Sequence, residues 1–152
     1  MNGLIKGHRQ MVAVVLAAAV WLCLTHPISA AAPVRLSAEE TDLLVRSVAA
    51  VTEGAPYAAR VGIAATVLNR LHDPRFPNSI PWIIISDAAF PLAASHHVSE
   101  AELTLTRAAL DAAMTGLDPT HGALCFSTPS QRAIPFNETC AIDGYRFGVP
   151  LS

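Results

Sequence analysis

Met11 to Leu24 is an unbroken run of 14 apolar residues behind the basic start Lys6, His8 and Arg9, and it decides how much chain is left to fold. With the small residues Ser29-Ala30-Ala31-Ala32 after it, this is the pattern of a secretory leader over residues 1–30. A permanent anchor would need about 20 apolar residues to span a bilayer. Cys23 follows Val20-Trp21-Leu22, without the small residues that precede a lipidated cysteine. The chain is therefore expected to be exported to the periplasm, the cell envelope or the medium, with no stable membrane anchor after cleavage.

About 120 residues remain, enough for one domain with one core, placed over residues 36–150. Ten Lys and Arg residues, less Lys6 and Arg9 in the leader, leave eight against twelve Asp and Glu. That acidic balance offers no basic surface for nucleic acid or anionic lipid. Cys125 and Cys140 are the two cysteines beyond the leader. In an oxidising compartment a disulfide is the expected form, closing a loop of about 16 residues and stabilising by about 3 kcal/mol. Two buried thiols are the alternative, since spacing does not establish the Cα approach that a bridge requires.

Helices come first and strands last. Ser37-Ala38-Glu39-Glu40 is a capping box and predicts a helix to about Thr52, with Leu44, Val48 and Val51 on its buried face. Gly54 and Pro56 end it. A second helix over 57–71 buries Val61, Ala64, Ala65 and Leu68, and Asp73-Pro74 stops it. Ser79 and Pro81 open a short helix ahead of Ile85, Ala88 to Val98 is an irregular loop, and Ser99-Glu100-Ala101-Glu102 caps a helix ending at Gly116. Ala123 to Ser127 and Cys140 to Phe147 have the composition of strands. The order predicts an α+β domain, helices followed by a small antiparallel sheet.

Several blocks then occur in a fixed order: Gly54-Ala55-Pro56-Tyr57, Val67-Leu68-Asn69-Arg70, Arg75-Phe76-Pro77-Asn78-Ser79-Ile80, Phe90, Asp118-Pro119-Thr120 with Gly122-Ala123-Leu124, and Ile142-Asp143-Gly144-Tyr145-Arg146-Phe147. Each is weak alone. In this order and spacing, from about Leu43 to Phe147, they resemble the catalytic domain of bacterial spore-cortex-lytic and cell wall hydrolases. The resemblance implies a lysozyme-like or lytic-transglycosylase-like domain that cleaves glycan strands of peptidoglycan and uses no cofactor. Such cleavage needs a protonated carboxylic acid to donate to the glycosidic oxygen. A second carboxylate or the substrate's N-acetyl group then stabilises the oxocarbenium-like state.

The family's acid is a glutamate in a run that reads Gly-Glu-Ala-Arg-Gly-Glu-Pro-Tyr. Aligned on Gly54 to Tyr57, that glutamate falls on Val51 and the arginine on Glu53. On a continuous helix two residues are about 200° apart, so Glu53 reaches the place of Val51 only if the last turn unwinds before Gly54. Glu53 is the candidate catalytic acid on that condition. The alternative is a degenerate homologue that binds or modulates without cutting. A structural secreted domain without glycan binding is the third reading.

The resemblance also places Tyr57, Asn69, Phe90, His121, Phe126 and Ser127 near substrate, aromatic faces stacking on sugars and amides bonding N-acetyl groups. Phe90 and Phe126 are by type more often core residues, and Asn69 could close a helix end. His121 falls on a glycine of the family's Asp-Pro-Thr-Gly-Gly-Ala-Leu and reads as a turn residue or a sugar contact. Asp87, in Ser86-Asp87-Ala88-Ala89-Phe90 where the family has Gln-Pro-Gly-Gln-Phe, reads as a capping residue rather than a relocated acid. His96-His97 with His121 lack zinc-motif spacing, and no metal is expected. No Gly-x-Ser-x-Gly elbow supports a serine esterase.

Overall fold

A computed structural model describes residues 34–90, 97–131 and 134–151. The leader, His96 and part of the loop before Val98 lie outside the described residues. Among the described residues four helices, α1 (Ala38–Val51), α2 (Tyr57–His72), α3 (Ile80–Ser86) and α4 (Glu100–Met114), precede strands β1 (Cys125–Ser127), β2 (Asn137–Ile142) and β3 (Tyr145–Val149). This is the α+β order read from the sequence. Among the described residues no helix is long and apolar enough to cross a membrane.

Both serine caps form, with a difference. At α1 the box is complete: the Ser37 hydroxyl accepts from Glu40 N at 3.1 Å and Ser37 N donates to the Glu40 carboxylate at 3.0 Å. At α4 only the Ser99 half is made, from Glu102 N at 3.3 Å, because the Glu102 carboxylate turns inward to Arg60. Ser79 stands at the start of α3 without a side-chain capping bond, and Pro81 occupies its first turn.

Helix α2 is the axis of the domain and is buried on nearly every side from Ala59 to Leu68. The face predicted from periodicity, Val61, Ala64, Ala65 and Leu68, is buried together with Leu44 and Val48 of α1 and Leu110 of α4. Gly62 lets the sheet approach: a Cβ there would lie 2.9 Å from the Phe147 ring and 3.1 Å from Thr120 Cγ2. Any larger residue would have to displace the Phe147 ring and the Thr120 methyl.

The sheet has the order β1-β3-β2, all antiparallel. The stretch Cys140 to Phe147, read from composition as one strand, is a hairpin instead. Asp143 and Gly144 have φ of 49° and 81°, the two left-handed positions that a two-residue hairpin turn demands. Thr139 is the extra residue of a bulge between Glu138 and Cys140, and its hydroxyl donates to Thr120 O at 2.7 Å.

The expected disulfide is corrected by this topology: Cys125 and Cys140 are free. β3 lies between their strands, so about 10 Å of sheet separates them. Cys125 pairs with Gly148 and Cys140 with Phe147, successive residues of β3 that face opposite sides. A bridge needs Cα atoms within about 7 Å and converging Cβ vectors. Burial raises both thiol pKa values.

Candidate active site

Helix α1 stops at Val51. Pro56 has no N–H, so a continuing helix would leave the Thr52 carbonyl without its donor. The chain turns instead, with Ala55 N donating to Thr52 O at 2.9 Å and Gly54 at φ 69°. Glu53 sits on this turn, outside the helix and exposed. The condition set by the sequence, unwinding before Gly54, is met, and the helical angle between positions 51 and 53 no longer applies.

Two groups fix the turn. From beneath, the buried Arg60 guanidinium donates to Thr106 Oγ1 at 3.0 Å, to Thr52 Oγ1 at 3.4 Å and to Ala55 O at 3.3 Å. Its charge is balanced by the Glu102 carboxylate, whose buried Oε2 faces it as an ion pair without a well-directed hydrogen bond. From the sheet, the Tyr145 hydroxyl donates to Val51 O at 3.0 Å. Burial raises the Tyr145 phenol pKa, against the nearby Arg60 charge and with that of Asp143, so the group is a neutral donor at pH 7. The hairpin turn carrying Asp143 packs on the loop after β1, since a Cβ on Gly144 would lie 3.2 Å from Pro129 Cγ.

The residues predicted for the site divide between the two ends of α2. Tyr57 is at the first, 45% exposed as a residue and with its hydroxyl donating to Ala108 O at 3.1 Å. Ser127 is buried at the end of β1 and pairs with Arg146, the neighbour of Tyr145. Asn69 lies about 18 Å of helix further on. Its amide donates to Asp118 Oδ2 at 2.9 Å and to Ala123 O at 3.1 Å, which makes it a tie between α2 and the following loop.

Asp118 organises that loop. It accepts from the Thr120 amide and hydroxyl at 2.8 and 2.6 Å and from Gly122 N at 2.9 Å. Burial pushes its pKa up, but hydrogen bonds from Thr120, Asn69 and Gly122 outweigh this and hold it below the ordinary value. His121 is exposed at φ 58°, the left-handed conformation that explains a glycine in the related pattern.

Phe90 and Phe126 are buried edge to face, 5.3 Å between centroids, and present no ring to a ligand. Arg70, which the sequence reading did not single out, holds this end together. Its guanidinium donates to Leu124 O and to Asp87, both at 2.7 Å, and stacks over Phe76 and Phe126. Asp87 also accepts from Ala89 N at 2.8 Å, the loop-fixing role expected of it. A hollow of about 290 Å³ opens beside Asn69, His72, Asp73 and Gly122, away from residues 51–57. Among the described residues no group of three His, Cys, Asp or Glu side chains could hold a metal.

Known proteins match this chain in sequence and in fold. The pattern of the family described as Cell Wall Hydrolase matches residues 54–145, beginning immediately after Glu53. The spore cortex-lytic enzyme of Bacillus subtilis is 33% identical over 109 residues, which cover 72% of this chain and 36% of that protein. The spore cortex-lytic enzyme of Halalkalibacterium halodurans is 34% identical over 98 residues, 64% of this chain and 29% of that protein. The chain thus spans about a third of the length of the curated relatives it matches. Among solved structures, the catalytic domain of the Bacillus cereus SleB protein superposes with a TM-score of 0.65 at 24% identity, covering 81% of this chain and 99% of that one. The catalytic domain of the germination-specific lytic transglycosylase SleB from Bacillus anthracis gives 0.65 at 25% identity, covering 76% and 98%.

Proposed function

Because this chain belongs to the cell wall hydrolase family, we propose that its domain, residues 36–150, is exported by the leader at 1–30 and cleaves peptidoglycan glycan strands with Glu53 as general acid. The observation that carries the choice of Glu53 is the end of α1 at Val51, which puts the next carboxyl on an exposed turn held by Arg60 and Tyr145. The Glu53 carboxyl would give a proton to the glycosidic oxygen as the C–O bond breaks, and the sugar's N-acetyl group or water meets the cation left behind. Tyr57 offers an exposed ring four residues away for stacking on a sugar face. Exposed His121 remains a secondary candidate for a contact along the glycan, whereas Ser127, like Phe90 and Phe126, is buried. The active compartment is the periplasm, the cell envelope or the medium.

A second reading is favoured by one observation, the valine at position 51. Under it the domain binds glycan strands without cutting them, or modulates an active relative. Digestion of purified peptidoglycan by the wild-type and Val51→Glu chains, with muropeptides analysed by mass, separates the two. Cleavage by wild type supports the relocated acid, and its products show whether water or an internal sugar hydroxyl closes the reaction. Cleavage by Val51→Glu alone supports the second reading.

A further inference from the structure

The Val51 carbonyl is the last of α1, and its hydrogen bond comes from an unusual direction. In a continuing helix it would accept from the amide of residue 55. That amide is turned to Thr52 O, which leaves the Val51 oxygen to be satisfied by something else. Helix ends of this kind are commonly closed by amides of the following turn. Here a side chain closes it, the Tyr145 hydroxyl, from 94 positions along the chain.

Tyr145 is well placed to act as a fixed donor. Its side chain is 6% exposed and belongs to the core, and its backbone is the first of β3, paired with Ile142 across the Asp143-Gly144 turn. A phenol ring has few rotatable bonds, so a buried one holds its hydroxyl at a set distance from the sheet. Arg60 meanwhile grips Thr52 and Ala55, the first and last residues of the turn. The turn is held at Val51, Thr52 and Ala55 from two different elements.

We propose that Tyr145 is a positioning residue for the acid: by capping the Val51 carbonyl where Pro56 ends α1, it holds the Thr52–Ala55 turn so that position 53, and not 51, is offered to substrate. This rests on the reading of Glu53 as the acid. Tyr145 does not touch the glycan itself; it acts through the backbone of residues 51–55.

Tyr145→Phe removes the hydroxyl and keeps the ring. In the full chain, amide hydrogen exchange at Ala55 and steady-state cleavage of peptidoglycan are measured for wild type and this variant. The expected result is exchange at Ala55 faster by about tenfold, with Leu44 and Val61 unchanged, and kcat lower by about tenfold with KM within about twofold. Unchanged exchange at Ala55 would overturn the proposal, and so would faster exchange with an unaltered kcat. A wild type that does not cleave, together with faster exchange in Tyr145→Phe, removes Glu53 as the acid while leaving Tyr145 as the clamp of the turn.

Discussion

Glu102 abandons the capping box of its own helix to face Arg60, an arginine only 2% exposed on α2. The pair joins α4 to the turn that carries Glu53, because the same guanidinium bonds Thr52 and Ala55. Removing one partner leaves a buried charge, which costs about 3–5 kcal/mol where burial is complete. With Glu102 one-fifth exposed the expected loss for Glu102→Gln is smaller, about 2 kcal/mol, read from urea unfolding. A loss below about 0.5 kcal/mol would show that water already solvates the Arg60 charge.

Asp118 gives the domain a stability that depends on acid. Its carboxylate is held below the ordinary pKa of 3.8, burial being outweighed by hydrogen bonds. A depressed folded value means that the unfolded state takes up the proton first, so the contribution is complete at neutral pH and is lost as pH falls from about 4 through the folded pKa. Melting curves of wild type and Asp118→Asn are expected to lie apart at pH 7 and to converge below pH 4. A constant gap would mean that the aspartate acts through geometry alone.

His121→Gly tests the turn directly. At φ 58° a side chain is strained in a way that glycine is not, which the greater unfolded-state entropy of glycine partly offsets. A gain of about 0.5–1 kcal/mol in thermal unfolding is expected. A loss would mean that the imidazole makes a stabilising contact.

The free cysteines make a further prediction. A disulfide would contribute about 3 kcal/mol, whereas Cys140→Ala is expected to cost less than about 1 kcal/mol, since it removes only a half-buried thiol. Peptide mapping after alkylation without reductant should find Cys125 and Cys140 modified separately. A linked Cys125–Cys140 peptide would contradict the strand order.

The local parts of this fold were legible because they are written in adjacent residues. Ser37 with Glu40 opened α1 where its hydrogen bonds are found, and the buried face of α2 followed from the spacing of Val61, Ala64, Ala65 and Leu68. Asp143-Gly144 was a legible hairpin turn too, but the β-rich residues on both sides masked it as one strand. What joins distant residues was not legible. Nothing near Cys125 or Cys140 says that β3 will come between them, and nothing near Asn69 says that Asp118 will engage its amide. Arg60 and Arg70 were missed because an arginine on a helix ordinarily faces water. The one hint was their surroundings, Ala59, Val61 and Gly62 beside one and Leu68 and Leu71 beside the other, which leave little polar surface for a solvent face.

The proposed activity depends on a proton donor at position 53 in place of 51. Its most direct test is the initial rate of peptidoglycan cleavage by wild type and Glu53→Gln, with folding of both checked by thermal unfolding. A positioned general acid contributes about 10²–10⁴-fold, so the rate of Glu53→Gln is expected to fall by about 100-fold or more while the chain remains folded. Equal rates in the two chains, or no cleavage by either, would contradict it.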